Sequence, residues 1–228
     1  MYFNSRVKGG ESMLNIRLDE NGAFVEIKKG RVSHWKKVSI QNIVSALNAS
    51  IGEKISTEPE PSPVLPPSTV GYIKYPDDNS HYTVLLYQPK SRVTVIFEDR
   101  TFENVGLPSA IYKFGVKNNH LLSTSIWAVT EKIIRPETPL YYFPVYNVYG
   151  SDGSLCMGSN RIEINEPWEL FKVPAAIQAM PSTRAFPFRN TVGLEGDSLF
   201  KKLKNKDFPD EWLVPAKITL NQLLKAGK

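Results

Sequence analysis

Between residues 81 and 146 the chain runs through five short segments rich in β-branched and aromatic residues, and all four connections between them are short, two of them only two or three residues long. These are "HYTVLLYQ" (81–88), "RVTVIFE" (92–98), "SAIYKFGVK" (109–117), "HLLSTSIWAVT" (120–130) and "LYYFPVY" (140–146). Parallel neighbours need a crossover of a dozen or more residues, so such links dictate antiparallel pairing. Gln88-Pro89-Lys90 and Asn118-Asn119 carry the residue types that turns use. The middle of the chain therefore predicts an antiparallel meander.

Upstream, residues 13–38 read as short strands, with Asn21-Gly22 as a hairpin signal and Gly30 as a second turn. Ser39 then predicts a helix cap, with Ile40, Ile43, Val44 and Leu47 on one helical face. Residues 57–69, "TEPEPSPVLPPST", hold five prolines within nine positions. Proline cannot donate to a ladder or sit inside a helix, so this stretch reads as a linker or loop. Downstream, "PWELFKVPAAIQAM" (167–180), "DSLFKKLKN" (197–205, capped by Asp197) and "TLNQLLKAG" (219–227, capped by Thr219) predict helices. Strands first and helices after is the pattern of an α+β domain. The expected organisation is a sheet-plus-helix unit over 1–56, a proline-rich link over 57–70 and a main domain over 71–228.

Composition removes several function classes. Hydrophobic residues make up 41% of the 228 and charged residues 22%, enough for a packed core rather than disorder. No apolar run is long enough to span a bilayer and no secretory leader is visible, so the expected location is cytoplasmic. The net charge of +5 is mild, and Lys201, Lys202, Lys204 and Lys206 read as a solvated helix face, so no nucleic-acid partner is expected. His34, His81 and His120 lack ligand spacing, so neither a metal nor another cofactor is expected.

The single cysteine, Cys156, excludes an internal disulfide. It lies in "TPLYYFPVYNVYGSDGSLCMGSNRIEI" (138–164), after a strand and a turn of Gly150, Ser151, Asp152 and Gly153, and is followed by Gly158. Glycines let backbone approach another molecule closely, and loops on a rigid sheet often carry reacting groups. Tyr141, Tyr142, Tyr146 and Tyr149 read as strand and loop packing.

Asn147 followed nine positions later by Cys156, with Asp152-Gly153-Ser154-Leu155 between, resembles the Asn-turn-Cys block of ubiquitin-conjugating enzymes. With "FPDEWLVPAKITLNQLL" near the end, the chain more specifically resembles a bacterial branch, prokaryotic ubiquitin-conjugating-like family D, which includes protein B of the PRTRC gene cluster. The similarity runs from about Gly71 onward and more weakly upstream. It implies a ubiquitin-conjugating fold and an acyltransferase that accepts a ubiquitin-like protein as a thioester on Cys156. The implied partners are the ubiquitin-like protein, an activating enzyme and a deconjugating metalloprotease. Asn147 would then brace the site loop or donate to the oxyanion, and Asp197 or Asp152 would take the proton of the acceptor.

Two departures stand out. The histidine of the family's His-Pro-Asn motif is absent, and Phe188 in "AFPFRNT" stands where the bacterial branch has a downstream histidine. A non-catalytic module that only binds a ubiquitin-like protein therefore stays open beside the carrier. A cysteine hydrolase would need a histidine at the sulfur, and all three histidines precede Cys156 outside any recognisable partner segment.

Overall fold

The computed structural model describes residues 2–6, 13–29, 32–51, 61–75, 80–149 and 151–225. The chain divides into two compact units, Met1–Pro61 and Ser62–Lys228. The expected turn at Gly30 and the first four residues of the proline-rich stretch, 57–60, lie outside the described residues.

The first unit is a four-stranded antiparallel sheet, β1 (Tyr2–Arg6), β2 (Met13–Asp19), β3 (Gly22–Lys29) and β4 (Val32–Val38), in that order, followed by α1 (Ile40–Ile51). The first hairpin falls where the sequence signals it, but its loop residues are Glu20 and Asn21, with Gly22 opening β3 opposite Asp19. The Asn21 N–H donates to Asp19 Oδ1 at 2.9 Å, which closes the turn. Alternation along the strands puts Ile16, Val25, Ile27 and Val38 around one apolar depression, shared with Asn42, Ile43 and Ala46 of α1. Ile40 and Val44, expected on the covered stripe, stay 64% and 49% exposed. The helix presents a wide apolar stripe, and only its Ile43 side lines the depression. Ser39 caps α1 as the sequence implies, its Oγ accepting from the Asn42 N–H at 3.1 Å. Ser39→Ala is expected to weaken the helix by about 1 kcal/mol, read as roughly fivefold faster hydrogen exchange of the α1 amides.

The second unit holds β5 (Thr69–Lys74), β6 (His81–Gln88), β7 (Ser91–Phe97), β8 (Arg100–Leu107), β9 (Ser109–Lys117), β10 (His120–Val129), β11 (Pro139–Tyr142) and β12 (Pro215–Thr219). Six of them form one curled antiparallel sheet, a half-barrel, in the order β12-β11-β10-β9-β6-β5. β7 and β8 form a separate hairpin between β6 and β9. This is the α+β meander backed by helices, with an N-terminal sheet-plus-helix extension, that the strand and helix patterns predict, and it matches the ubiquitin-conjugating fold that the resemblance implied. The sequence reading had no strand at β5, β8 or β12. It also ran the last strand to Tyr146, whereas β11 stops at Tyr142, Pro144 follows and Tyr146 has a left-handed φ of 65°. That turn starts the site.

Period-two alternation splits the sheet into two apolar faces. Val84, Leu86, Tyr112, Phe114, Ile126 and Ala128 point to a core shared with the β7–β8 hairpin and with α2 (Val173–Gln178) and α3 (Gly196–Leu203). Leu85, Ile111, Trp127, Val129 and Leu140 point the other way, against Leu220 and Leu223 of α4 (Leu220–Lys225). The predicted helix over 167–180 is a 3₁₀ turn, Pro167–Lys172, running into α2, which carries Pro174 in its first turn, where the missing N–H does no harm. Asp197 is not the cap of α3. Glu195 holds that position, its N–H donating to Ser198 Oγ at 3.2 Å.

Burial raises the phenol pKa of three tyrosines of this core, Tyr82, Tyr112 and Tyr146. Burial pushes the Tyr112 phenol up to about 12, against a smaller opposing effect of its hydrogen bond with Gln178. Burial likewise pushes Tyr82 up to about 12. The unfolded chain releases these protons near pH 10 and the folded chain holds them to about 12, so the folded state binds more protons in that window. Stability is expected to be intact below pH 10 and to fall as pH rises toward 12. The urea midpoint should drop between pH 9.5 and 11.5, and Tyr112→Phe should flatten part of that fall. Equal slopes for the two proteins would remove Tyr112 from the account.

Candidate functional site

After β11 the chain leaves the sheet, turns at Tyr146 and folds residues 147–149 back against 154–156. The Cys156 N–H donates to the Asn147 carbonyl at 2.8 Å and the Tyr149 N–H to the Ser154 carbonyl at 2.7 Å, with Val148 paired opposite Leu155. The arm occupies the edge of β10 that β11 leaves vacant. The Ile126 N–H donates to the Gly153 carbonyl at 2.9 Å, the Leu155 N–H donates to the Thr124 carbonyl at 2.8 Å, and Ser125 bridges Ser154.

Two features of the turn set this docking. Asp152 accepts from the Ser154 N–H at 3.1 Å and from its hydroxyl at 2.8 Å, an Asx turn. Gly153 has φ 65°, and a Cβ there would lie 2.6 Å from Trp127 Cε2 and 3.0 Å from the Ile126 carbonyl oxygen. Only glycine meets both the left-handed backbone and the close approach. Asp152, a candidate proton acceptor by sequence, is thus engaged in its own turn.

Strand alternation sorts the arm's side chains. Val148 and Leu155 are buried in the core. Asn147, Tyr149, Ser154 and Cys156 occupy the alternate positions. Cys156 is a free, partly exposed thiol in an open depression of about 460 Å³, whose far wall is the start of β10, 121–124. Tyr149 and Gly158 line the same depression as Cys156, and the Tyr149 hydroxyl and the Gly158 N–H are the two groups placed to donate to the sulfur. Both favour the anion, and together they hold the thiol below its ordinary range, against a weaker opposing effect of burial. The same contact raises the Tyr149 phenol.

The Asn147 amide faces a different neighbour. Its Nδ2 donates to the Pro181 carbonyl at 3.0 Å and its Oδ1 accepts from the Thr183 N–H at 3.0 Å. Two residues on, the Tyr149 ring meets the Phe186 ring edge-on at 5.0 Å. Asn147 and Tyr149 thus both fasten the segment 181–186 beside the cysteine. Beyond that segment lies a second depression of about 570 Å³, lined by Phe186, Phe188 and Asp197 among others. The Asp197 carboxylate is paired with Arg100 and lies 3.8 Å from Lys201 Nζ. It does not line the depression that holds Cys156. Phe188, standing where a histidine was expected, packs edge-on against Phe97 at 5.6 Å and Phe200 at 5.8 Å. That site is apolar core.

Among the described residues no histidine lines the Cys156 depression. His120 is exposed on β10 opposite Lys117, and its backbone forms an isolated β-bridge with Glu163. Among the described residues no group of three His, Cys, Asp or Glu side chains is placed to hold a metal. Tyr149 is the site residue that sequence reasoning passed over, having assigned it to packing. The available signal was its spacing: two positions from Asn147 on an extended arm puts it on the cysteine's face.

A family model described as prokaryotic E2 family D matches residues 45–216, from within α1 into β12. No curated protein and no solved structure matches the chain.

Proposed function

The chain belongs to prokaryotic E2 family D, and on that premise we propose that it carries a ubiquitin-like protein as a thioester on Cys156. The observation that supports this reading most is the setting of the thiol. Cys156 is the sole cysteine, partly exposed in an open depression that it shares with Tyr149 and Gly158, whose donors favour its anion. Thiolate is the nucleophilic form, so these donors make more of it present near neutral pH.

In the proposed charging step, the Cys156 thiolate attacks the carbonyl carbon of the thioester between the ubiquitin-like protein's carboxyl terminus and an activating enzyme. A new S–C bond forms, the tetrahedral intermediate collapses, and the activating enzyme's sulfur departs as thiolate. An acceptor amine or hydroxyl then attacks, loses its proton and releases Cys156. Splitting the acyl transfer through sulfur replaces one difficult step by two easier ones. Asn147 serves as a brace, since both ends of its amide hold the backbone of 181–183. Asp197 would act on an acceptor only from the neighbouring depression, after exchanging its contact with Arg100. A deconjugating metalloprotease would reverse the modification.

The test mixes the purified chain with ATP and with an activating enzyme and a ubiquitin-like protein from the same organism, and separates the products on a non-reducing gel. A thiol-labile adduct is expected. A charged activating enzyme with no adduct on this chain would sink the carrier reading and leave a non-catalytic binding module.

A further inference from the structure

We propose that the Tyr149 hydroxyl is a catalytic group that keeps Cys156 Sγ in its nucleophilic form by donating a hydrogen bond to it. This rests on the reading of Cys156 as the carrier nucleophile. The geometry comes from the arm. Tyr149 pairs with Ser154 through a 2.7 Å backbone bond, and Cys156 pairs with Asn147 through one of 2.8 Å. Tyr149 and Cys156 are therefore diagonal neighbours on one face of a two-stranded ladder, a separation that a tyrosine side chain spans. The ring is seated from the far side by Phe186, edge-on at 5.0 Å. Tyr149 is 49% exposed, yet that contact seats its ring on the cysteine's face of the arm, in the depression that the two residues share.

No other titratable group competes for this role among the described residues around the sulfur. From β10, residues 121–124 bring Leu121, Leu122, Ser123 and Thr124, none of which ionises. The stretch 157–160 contributes Met157, Gly158 and Asn160 to the wall. In the neighbouring segment the Arg184 guanidinium is paired with Glu98 at 3.2 Å. At the turn Asp152 is held by Ser154, and His120 does not line the depression. The phenol also keeps its proton, because the thiolate raises its own pKa. It acts as a hydrogen-bond donor and transfers no proton in the charging step. This device takes over in part from the imidazole that the chain lacks after Cys156.

Tyr149→Phe removes the hydroxyl and leaves the ring on Phe186, so the arm should fold unchanged. The readout is the pH profile of iodoacetamide alkylation of Cys156 in the full chain, followed by mass spectrometry without any partner. The midpoint of the profile is expected to move to higher pH in Tyr149→Phe. Alkylation at pH 7 is expected to slow roughly three- to tenfold, the range for one lost hydrogen bond, lessened where a more basic thiolate attacks faster. Phe186→Leu, which removes the seat of the ring and keeps the hydroxyl, should shift the midpoint the same way by less. Superimposed profiles for wild type and Tyr149→Phe would overturn the assignment. Adduct formation alongside superimposed profiles rejects Tyr149 and leaves the carrier reading standing. A shifted profile in a chain that never forms an adduct supports the hydrogen bond and rejects the carrier.

Discussion

Cys156→Ala is expected to abolish the thiol-labile adduct altogether while leaving the thermal unfolding midpoint within about a degree of wild type. The two halves of this prediction have separate causes. The chain has no second cysteine to take over the acyl group, so the loss should be complete rather than graded. The sulfur is partly exposed in an open depression, so its removal leaves no closed cavity in the core, and substitutions away from packed features usually stay within about 0.5 kcal/mol. The backbone bond from the Cys156 N–H to Asn147 does not depend on the side chain. A gel with wild-type protein, Cys156→Ala and a reduced control, together with a melting curve for each, checks both halves. Residual thiol-labile adduct in the alanine variant would place the acyl group on another protein of the mixture.

Gly153→Ala is expected to do the opposite, lowering stability and activity together. Its Cβ would stand 2.6 Å from Trp127 Cε2 and 3.0 Å from the Ile126 carbonyl oxygen, on a backbone with φ 65°. A left-handed residue with a Cβ costs about 1–2 kcal/mol, and overpacking against a core ring costs about 1–3 kcal/mol more. Trp127 is 2% exposed and cannot swing away, since Leu85, Ile111, Val129 and Leu140 belong to the same buried cluster. The arm has to yield, and with it go the bonds from Gly153 and Leu155 to β10. An unfolding midpoint in urea that falls by about 2–5 kcal/mol equivalent, with adduct formation reduced at least tenfold, is the expected result. Unchanged stability would mean that the turn docks less tightly than these distances require.

How much of this was legible in the sequence depended on which physical rule governed each element. The strands 81–88, 109–117 and 120–129 carry strong alternation and were read almost to the residue. β8 was missed because "RTFENVGL" interrupts its apolar pattern with Glu103, Asn104 and Gly106. Asn104 takes φ 54°, and a Cβ at Gly106 would lie 2.1 Å from the Lys206 carbonyl. Those residues answer to bulge geometry and a close backbone approach, which periodicity does not report. The cap of α3 was placed at Asp197 on the usual preference for aspartate, whereas Glu195 takes it and Asp197 turns toward Arg100. At the site, the Asn147–Cys156 spacing was readable because both ends lie on one short arm. The partners of Asn147 were not, since Pro181 and Thr183 are distant in sequence and reach it only through the fold. Asn147 was picked out by the family resemblance, whereas Tyr149 needed the alternation of an extended arm, which puts it on the cysteine's face.

The helix that covers the second face of the main sheet has a consequence for the order of synthesis. Leu220 and Leu223 close over Leu85, Ile111 and Trp127, Leu224 closes on Gly71, and Lys113 Nζ donates to the Leu223 carbonyl at 3.1 Å. A ribosome makes the strands well before it makes residues 220–225. While elongation continues, that side of the growing sheet is wet, greasy and without its cover. Contacts of this sequence separation are slow to form, and transient apolar surface of this kind invites misassembly. The nascent chain is therefore most vulnerable during the interval between β11 and α4, and holdase chaperones should bind it there.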